Sequence, residues 1–305
     1  MNAPRTIAEY LKQLRAALRG ADPALIQDAL YDAEEHLRSE LAEDPTRSEA
    51  EMLAHVVGTY GAPEEVADIY RDQEIKIQRA LRPPPAPKRR SALGRFFGVA
   101  ADSRTWGALF YMVLALATGI FYFTWAVTGI SLSVGLAVLI IGIPFMVLFL
   151  GTVRALSLLE GRIVETMLGV RMPRRPPHPG QAGMSIMQRV GAIFTDGHTW
   201  TTLFYMILML PLGIIYFVIT VTLLSISLGF MSMPVLKALN QADIFIWDCG
   251  IPAWLCHDGN WASAIVVCAM GVILLFVTLH VVRGLGTLHG AIAKGLLVPS
   301  AGREA

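Results

Sequence analysis

The sequence predicts an all-α protein in which a small helical domain precedes four transmembrane helices, built as two tandem helical hairpins. Three observations predict this class: apolar residues recur at helical spacing through residues 1–82, long runs without charge follow, and these runs repeat. The composition agrees, because 54% of the residues are apolar and 16% are charged, whereas a soluble domain carries about 25% charged residues.

Residues 1–82 are predicted to form a cytoplasmic domain of four helices. Asp22-Pro23 marks the start of the second helix, a Ser48–Glu51 capping box starts the third, and Pro63 starts the fourth. This segment holds 16 acidic and 10 basic residues, so direct binding of nucleic acid is not expected.

The second helix of this domain is predicted to have an acidic outer face. Glu34, Glu35 and Glu40 on that face are the candidate residues for binding a basic cytoplasmic partner. A plain solvated surface is the alternative, and the residue pattern does not decide between the two.

A proline-rich basic linker is predicted over residues 83–94. Its first part reads PPPAPKRR, which is typical of a stiff polyproline helix followed by a basic anchor at the membrane surface.

Three runs lack Asp, Glu, Lys and Arg, at 105–153, 197–236 and 259–282. A helix needs roughly 20 residues to cross the hydrocarbon core, so the first run is long enough for two spans. We expect the turn between them at Gly129, Ser131, Ser133 and Gly135. The predicted spans are about 106–129, 134–154, 200–226 and 261–283.

The basic residues predict the orientation of the spans. Fourteen Lys and Arg residues flank the predicted inner ends of the spans, whereas the opposite side has only Lys237. Because basic residues stay on the cytoplasmic side, we expect a multi-pass protein of the bacterial inner membrane with both termini in the cytoplasm.

The membrane half, predicted as residues 95–298, contains an internal repeat. At an offset of 94 residues Trp106 matches Trp200, and LFYM at 109–112 matches LFYM at 203–206; the second helices match at an offset of 129. The repeats are predicted at about 95–173 and 189–298. Trp106 and Trp200 are the predicted interfacial anchors, since an indole prefers the headgroup layer.

The predicted outer loop contains Cys249 and Cys256, separated by a Gly-Pro-containing segment. Because the periplasm is oxidising, the pair predicts a disulfide. A metal site that adds Asp248 and His257 is the weaker alternative, because the spacing matches no established metal motif.

Apart from Arg154 and Arg283 at their inner ends, the predicted spans contain no carboxylate, Lys or Arg, which disfavours proton- or ion-coupled transport. A membrane enzyme would need clustered acids and bases, and the inner face offers only Glu160, Glu165 and His289 among scattered arginines. We therefore expect neither an enzyme nor a bound cofactor or metal.

Two family resemblances follow from particular motifs. YLKQLRAAL at 10–18, YDAEEHL at 31–37 and GAPEEVA at 61–67 resemble the HTH-associated α-helical signalling domain, abbreviated HAAS, over about 5–80. The two LFYM motifs, VRALSLLEGRIVETMLGVRMP from Val153 and VVRGLGTLHGAIAKGLLVP from Val281 resemble the "putative sensor" membrane domain of some bacterial sensor histidine kinases.

The resemblance implies a sensory or signal-coupling protein of the membrane. HAAS domains are thought to communicate with helix-turn-helix regulators, often of the PadR type, so the expected partner is a cytoplasmic protein of that kind. No kinase-type nucleotide motif is present, and we expect the output to pass through this partner. An accessory subunit of a membrane transport or assembly complex is the alternative, and homo-oligomerisation stays open.

Overall fold

The computed structural model describes residues 3–43, 47–81, 91–137, 142–175, 191, 196–242 and 261–299. Its helices are α1 (Ile7–Ala17), α2 (Pro23–Glu43), α3 (Glu49–Thr59), α4 (Pro63–Leu81), α5 (Ala92–Phe97), α6 (Ser103–Leu136), α7 (Gly142–Leu168), α8 (Gly197–Met231), α9 (Met233–Gln241) and α10 (Trp261–Leu297). A 3₁₀ turn, Gly98–Ala101, joins α5 to α6. The described residues contain no strand, and the all-α prediction is confirmed.

Residue contacts divide the chain into two compact units. The first unit comprises residues 1–82, 124–207 and 289–305, and the second comprises 83–123 and 208–288. The N-terminal domain therefore shares a unit with α7 and with the last residues of α10. The boundaries predicted at 82 and 95 stay predictions.

The N-terminal helices begin where local capping satisfies their first amides. Asp22 accepts a hydrogen bond from the amide of Ala24 at 3.0 Å, just before Pro23. The predicted capping box is present, since Ser48 and Glu51 each bond the other's backbone amide. One apolar core joins α1–α4, and its fully buried side chains include Tyr10 and Leu53.

Three helices, α6, α8 and α10, are long and apolar enough to cross a membrane. Large apolar side chains on them are exposed, among them Phe110, Phe204 and Ile265, as expected of surfaces that face lipid. The second predicted span, 134–154, falls partly on residues 138–141, which lie outside the described residues. Its described part lies in α7, and the count of four spans stays a prediction.

The turn expected between the first two spans is wrong. Helix α6 continues through Gly129 and Gly135 and ends at Leu136. Gly129 has a packing role, because a Cβ there would collide with the ring of Phe149 on α7. Glycine and serine are tolerated inside apolar helices where they allow such close packing, so their cluster did not indicate a turn.

The two repeats cross at equivalent positions. A Cβ on Gly119 of α6 would collide with the backbone of Met209 on α8, and one on Gly213 of α8 would collide with the backbone of Ala115 on α6. Residues 115 and 119 correspond to residues 209 and 213 at the repeat offset of 94. The contact is therefore reciprocal between equivalent positions, as expected of a duplicated segment, and the bounds of the two repeats stay predictions.

Candidate functional site

A short segment after α7 forms the candidate site. Helix α7 ends at Leu168, and Gly169 follows with a φ of +69°, a left-handed conformation that favours glycine. The turn redirects the chain into a non-helical run, Gly169–Arg175, which bends at Arg174 and Arg175 and which we call the strap. Val170 and Met172 of the strap pack on Gly290 and Gly161, whose positions are equivalent in the two repeats.

Arg171 of the strap is the centre of a buried cluster of charges. Its guanidinium donates to Asp28 of α2 at 2.8 Å and to Glu74 of α4 at 3.2 Å. Glu165 of α7 lies 3.6 Å away. All four side chains are less than 10% exposed. The cluster thus joins two helices of the N-terminal domain to the segment that leaves the membrane half.

The charge of Arg171 is fixed by its partners. Burial alone would lower the pKa of Arg171, but hydrogen bonds and attraction from Asp28 and Glu74 outweigh it and hold that pKa above its ordinary value. The guanidinium therefore stays charged at physiological pH. Removing one member of a buried ion pair costs about 3–5 kcal/mol, because the remaining charge is left without compensation.

Helix α2 also contacts the backbone of the strap. One oxygen of Asp28 accepts from the amides of Arg174 and Arg175, at 2.7 Å and 2.8 Å. The side-chain amide of Gln27 donates to the carbonyl of Arg175 at 2.6 Å. Polar side chains of α2 thus satisfy the backbone of the strap where it bends.

The side chain of Arg175 is held by two further residues of α2. Its Nε lies 2.7 Å from Asp32, and its guanidinium lies 5.6 Å from the ring centre of Tyr31, within cation–π range. The hydroxyl of Tyr70 on α4 donates to the other oxygen of Asp32 at 3.0 Å. Gln27, Asp28, Tyr31, Asp32 and Glu74 therefore line one surface, which we call the acidic groove.

A second contact ties the N-terminal domain to the membrane half. Lys294, near the end of α10, forms an ion pair with Asp22 at the start of α2. The strap and the end of α10 thus both bind α2, one at each end of its first three turns.

The candidate partner-binding face predicted on α2 is wrong at one position. Glu34 is 1% exposed and pairs with Arg38 one turn later, because it lies within the apolar stripe of α2 between Leu30 and Leu37. Glu35 is exposed and Glu40 is half-buried. Partner binding by Glu35 and Glu40 stays a prediction.

The other predicted site residues divide into two groups. Trp106 and Trp200 lie at the starts of α6 and α8 with nearly equal exposure, 52% and 53%, and their anchoring role stays a prediction. Cys249 and Cys256 lie outside the described residues, as do Asp248 and His257, so the disulfide also stays a prediction. Within the described ranges, no group of three or more His, Cys, Asp or Glu side chains could hold a metal ion.

Two of the acid and base residues noted at the inner face, Glu160 and His289, are brought together. The hydroxyl of Tyr205 lies 3.0 Å from Glu160 and 3.1 Å from His289, and all three side chains are at most 1% exposed. Glu160 and His289 are equivalent positions of the two repeats. Because the group is enclosed, it offers no surface on which a substrate could bind.

Sequence reasoning missed the acidic groove and its ligand. The sequence analysis singled out neither Asp28 nor Glu74, and it counted the arginines of the strap only toward orientation. No local signal was available, because Asp28 lies about 180° around α2 from its apolar stripe of Ile26, Leu30 and Leu37, where an acid ordinarily faces solvent.

Comparison with protein families agrees with this geometry. The family model described as "Putative sensor" matches residues 111–297, and the HAAS model matches residues 9–68. No curated protein and no solved structure matches the chain. The sensor match covers more than half of the chain, and the HAAS match covers α2 and the start of α4, but not Glu74 of the acidic groove. The chain therefore belongs to the "Putative sensor" family, with a HAAS domain joined ahead of its membrane helices.

Proposed function

We propose that this protein is a non-enzymatic signal-coupling protein of the bacterial inner membrane, which relays a membrane or periplasmic state to a cytoplasmic partner through its HAAS domain. The partner implied by the HAAS resemblance is a helix-turn-helix regulator of the PadR type. Neither matching family describes a catalytic domain, which supports an output carried by protein contacts.

The observation that carries the proposal is the buried cluster around Arg171. Its acidic partners belong to the HAAS domain and to α7, and Arg171 itself lies in the strap that continues α7. A shift at the inner end of α7 therefore moves the guanidinium relative to Asp28 and Glu74. Because such a pair is stable only with good geometry, a small shift changes the equilibrium between docked and released HAAS domain.

The test is hydrogen exchange on the full chain in lipid nanodiscs. Arg171→Ala should release the HAAS domain and raise exchange at the amides of Arg174 and Arg175 by about a hundredfold or more, which corresponds to the loss of a buried ion pair. Core amides of α1 and α3 should stay protected. Arg79→Ala, at an exposed position of α4, is the matched control and should behave as the unmutated chain.

The relay is tested by changing the bilayer and the outer loop. In the unmutated chain, exchange of the strap should differ between thin and thick bilayers or after deletion of residues 243–258. The Arg171→Ala chain should respond to neither change, since its strap is already released. Equal exchange of the unmutated strap under all of these conditions would contradict a coupling function.

A further inference from the structure

The acidic groove contacts the strap in the manner of a peptide-binding site. Asp28 satisfies two successive backbone amides and Gln27 satisfies the carbonyl that follows. Asp28 and Asp32 bind the guanidinium groups of Arg171 and Arg175. The groove therefore binds a bent backbone together with two arginines at fixed spacing.

The surroundings of the groove leave room for a larger ligand. A cavity of about 350 Å³ adjoins the strap, and its lining includes Leu25, Tyr70 and Ile77 of the HAAS domain. The strap does not fill this space. A peptide with an apolar side chain at this position would gain contacts that the strap lacks.

We propose that the acidic groove is a recognition site for a non-helical, arginine-bearing peptide segment of a partner protein, and that the strap occupies it in the resting chain. The ligand is a segment of the pattern Arg-x-x-x-Arg, the spacing of Arg171 and Arg175, because the guanidinium of Arg174 pairs with Glu165 of α7 and not with the groove. Binding of partner and strap is mutually exclusive, because both need the carboxylates of Asp28 and Asp32. The inference rests on the proposed function, in which release of the strap is the signal.

The strap and the acidic groove belong to the same chain, and this explains why the strap occupies the groove at rest. A tethered segment acts at an effective concentration on the order of millimolar, so a free peptide at micromolar concentration does not displace it. Once a shift of α7 withdraws the strap, the same groove becomes available to the partner. The strap is therefore released first, and the partner segment binds the groove second.

The experiment uses a labelled synthetic peptide with the strap sequence, residues 169–175, and the full chain in uncharged phosphatidylcholine nanodiscs. A chain with Arg171, Arg174 and Arg175 replaced by Ala should bind this probe at least tenfold more tightly than the unmutated chain, measured by fluorescence anisotropy. Adding Asp28→Asn should reverse the gain. A probe with Lys at the three Arg positions should bind at least tenfold more weakly, since Lys lacks the planar fork of donors.

Two results would overturn the proposal. The first is equal binding of the probe by the triple-Ala and unmutated chains while α1 and α3 remain protected from hydrogen exchange. The second is equal binding by the triple-Ala chain with and without Asp28→Asn, which would indicate general attraction of a basic peptide to acidic protein.

A measurement on the unmutated chain covers the case in which the triple-Ala chain does not fold. Excess probe at millimolar concentration should raise hydrogen exchange at the amides of Arg174 and Arg175, and unchanged exchange would contradict the proposal. Failure here is distinguishable from failure of the coupling function. If Arg171→Ala releases the HAAS domain but no peptide binds, the proposed coupling function is supported and the proposed peptide-binding site is wrong.

Discussion

At the scale of single residues, buried charges distinguish the structure from the sequence pattern. The apolar stripes of α1–α4 could be predicted, because their spacing follows from helix geometry alone. Burial of an acid could not, because a carboxylate is buried only if a partner is brought to it. For Glu34 that partner is local, Arg38 one turn later. For Asp28 it is Arg171, 143 positions along the chain, which no local pattern indicates.

A charge reversal tests the burial of Glu34. Glu34→Lys would place a second cation beside Arg38 in a position that is 1% exposed, so the free energy of unfolding of the HAAS domain should fall by about 3–5 kcal/mol. Glu35→Lys on the same helix is the matched control and should change it by at most about 0.5 kcal/mol, because Glu35 is exposed. Hydrogen exchange of α1–α3 core amides in the full chain measures both. Equal stability of the two variants would show that Glu34 is not a buried ion-pair member.

At the scale of helices, the presence of a helix was easier to predict than the positions of its ends. Charge-free runs indicated α6, α8 and α10 because length and composition suffice to identify such helices. The end of α6 was misplaced because glycine has two roles, breaking a helix or letting two helices approach closely. The residue that packs against the glycine decides which of these two roles it has. For Gly129 that residue is Phe149, whose ring lies against it.

The reciprocal crossing of α6 and α8 predicts which glycines tolerate a side chain. Gly119→Ala and Gly213→Ala would each force a methyl group against backbone atoms of the other helix, and backbone cannot rotate away. Each change should lower the free energy of unfolding by about 1–3 kcal/mol.

Gly135→Ala, also in α6, provides the control for this prediction. Its Cβ would meet open space, so that variant should be neutral or up to about 1 kcal/mol more stable. Thermal unfolding of the full chain in nanodiscs, followed by circular dichroism, measures all three variants. A Gly119→Ala chain as stable as Gly135→Ala would contradict the close crossing.

At the scale of the whole molecule, the duplication recurs in the ion pairs at the helix ends. Arg154 at the inner end of the first hairpin pairs with Asp196 before α8 at 3.2 Å. Its equivalent, Arg283, pairs with Asp102 before α6 at 3.0 Å. Each hairpin thus supplies the arginine for the aspartate that caps the other hairpin. The repeat could be read from the sequence, but this exchange of partners could not, since it depends on which hairpin ends are neighbours.

The contacts of the HAAS domain also bear on the number of membrane crossings. Two residues that form an ion pair lie on the same side of the bilayer. Asp28 pairs with Arg171, and Asp22 pairs with Lys294. An even number of crossings must therefore separate residue 28 from 171, and 171 from 294. Four crossings satisfy this condition with α7 as the second. The charge-free part of α7, residues 142–153, reaches about 18 Å against about 30 Å of hydrocarbon, so this crossing would also need residues before Gly142.

Reporter fusions distinguish four crossings from three. With four, a reporter joined after Gly180 or after Ala305 should be active in the cytoplasm, and one joined after Gly250 should be active in the periplasm. If α7 did not cross, all three assignments would be reversed, because every segment after α6 would change sides. The Gly180 fusion is the sharpest of the three, since it lies only a few residues beyond the strap. Periplasmic activity there would separate the strap from a cytoplasmic HAAS domain, and the Arg171 cluster could not then carry a signal between them.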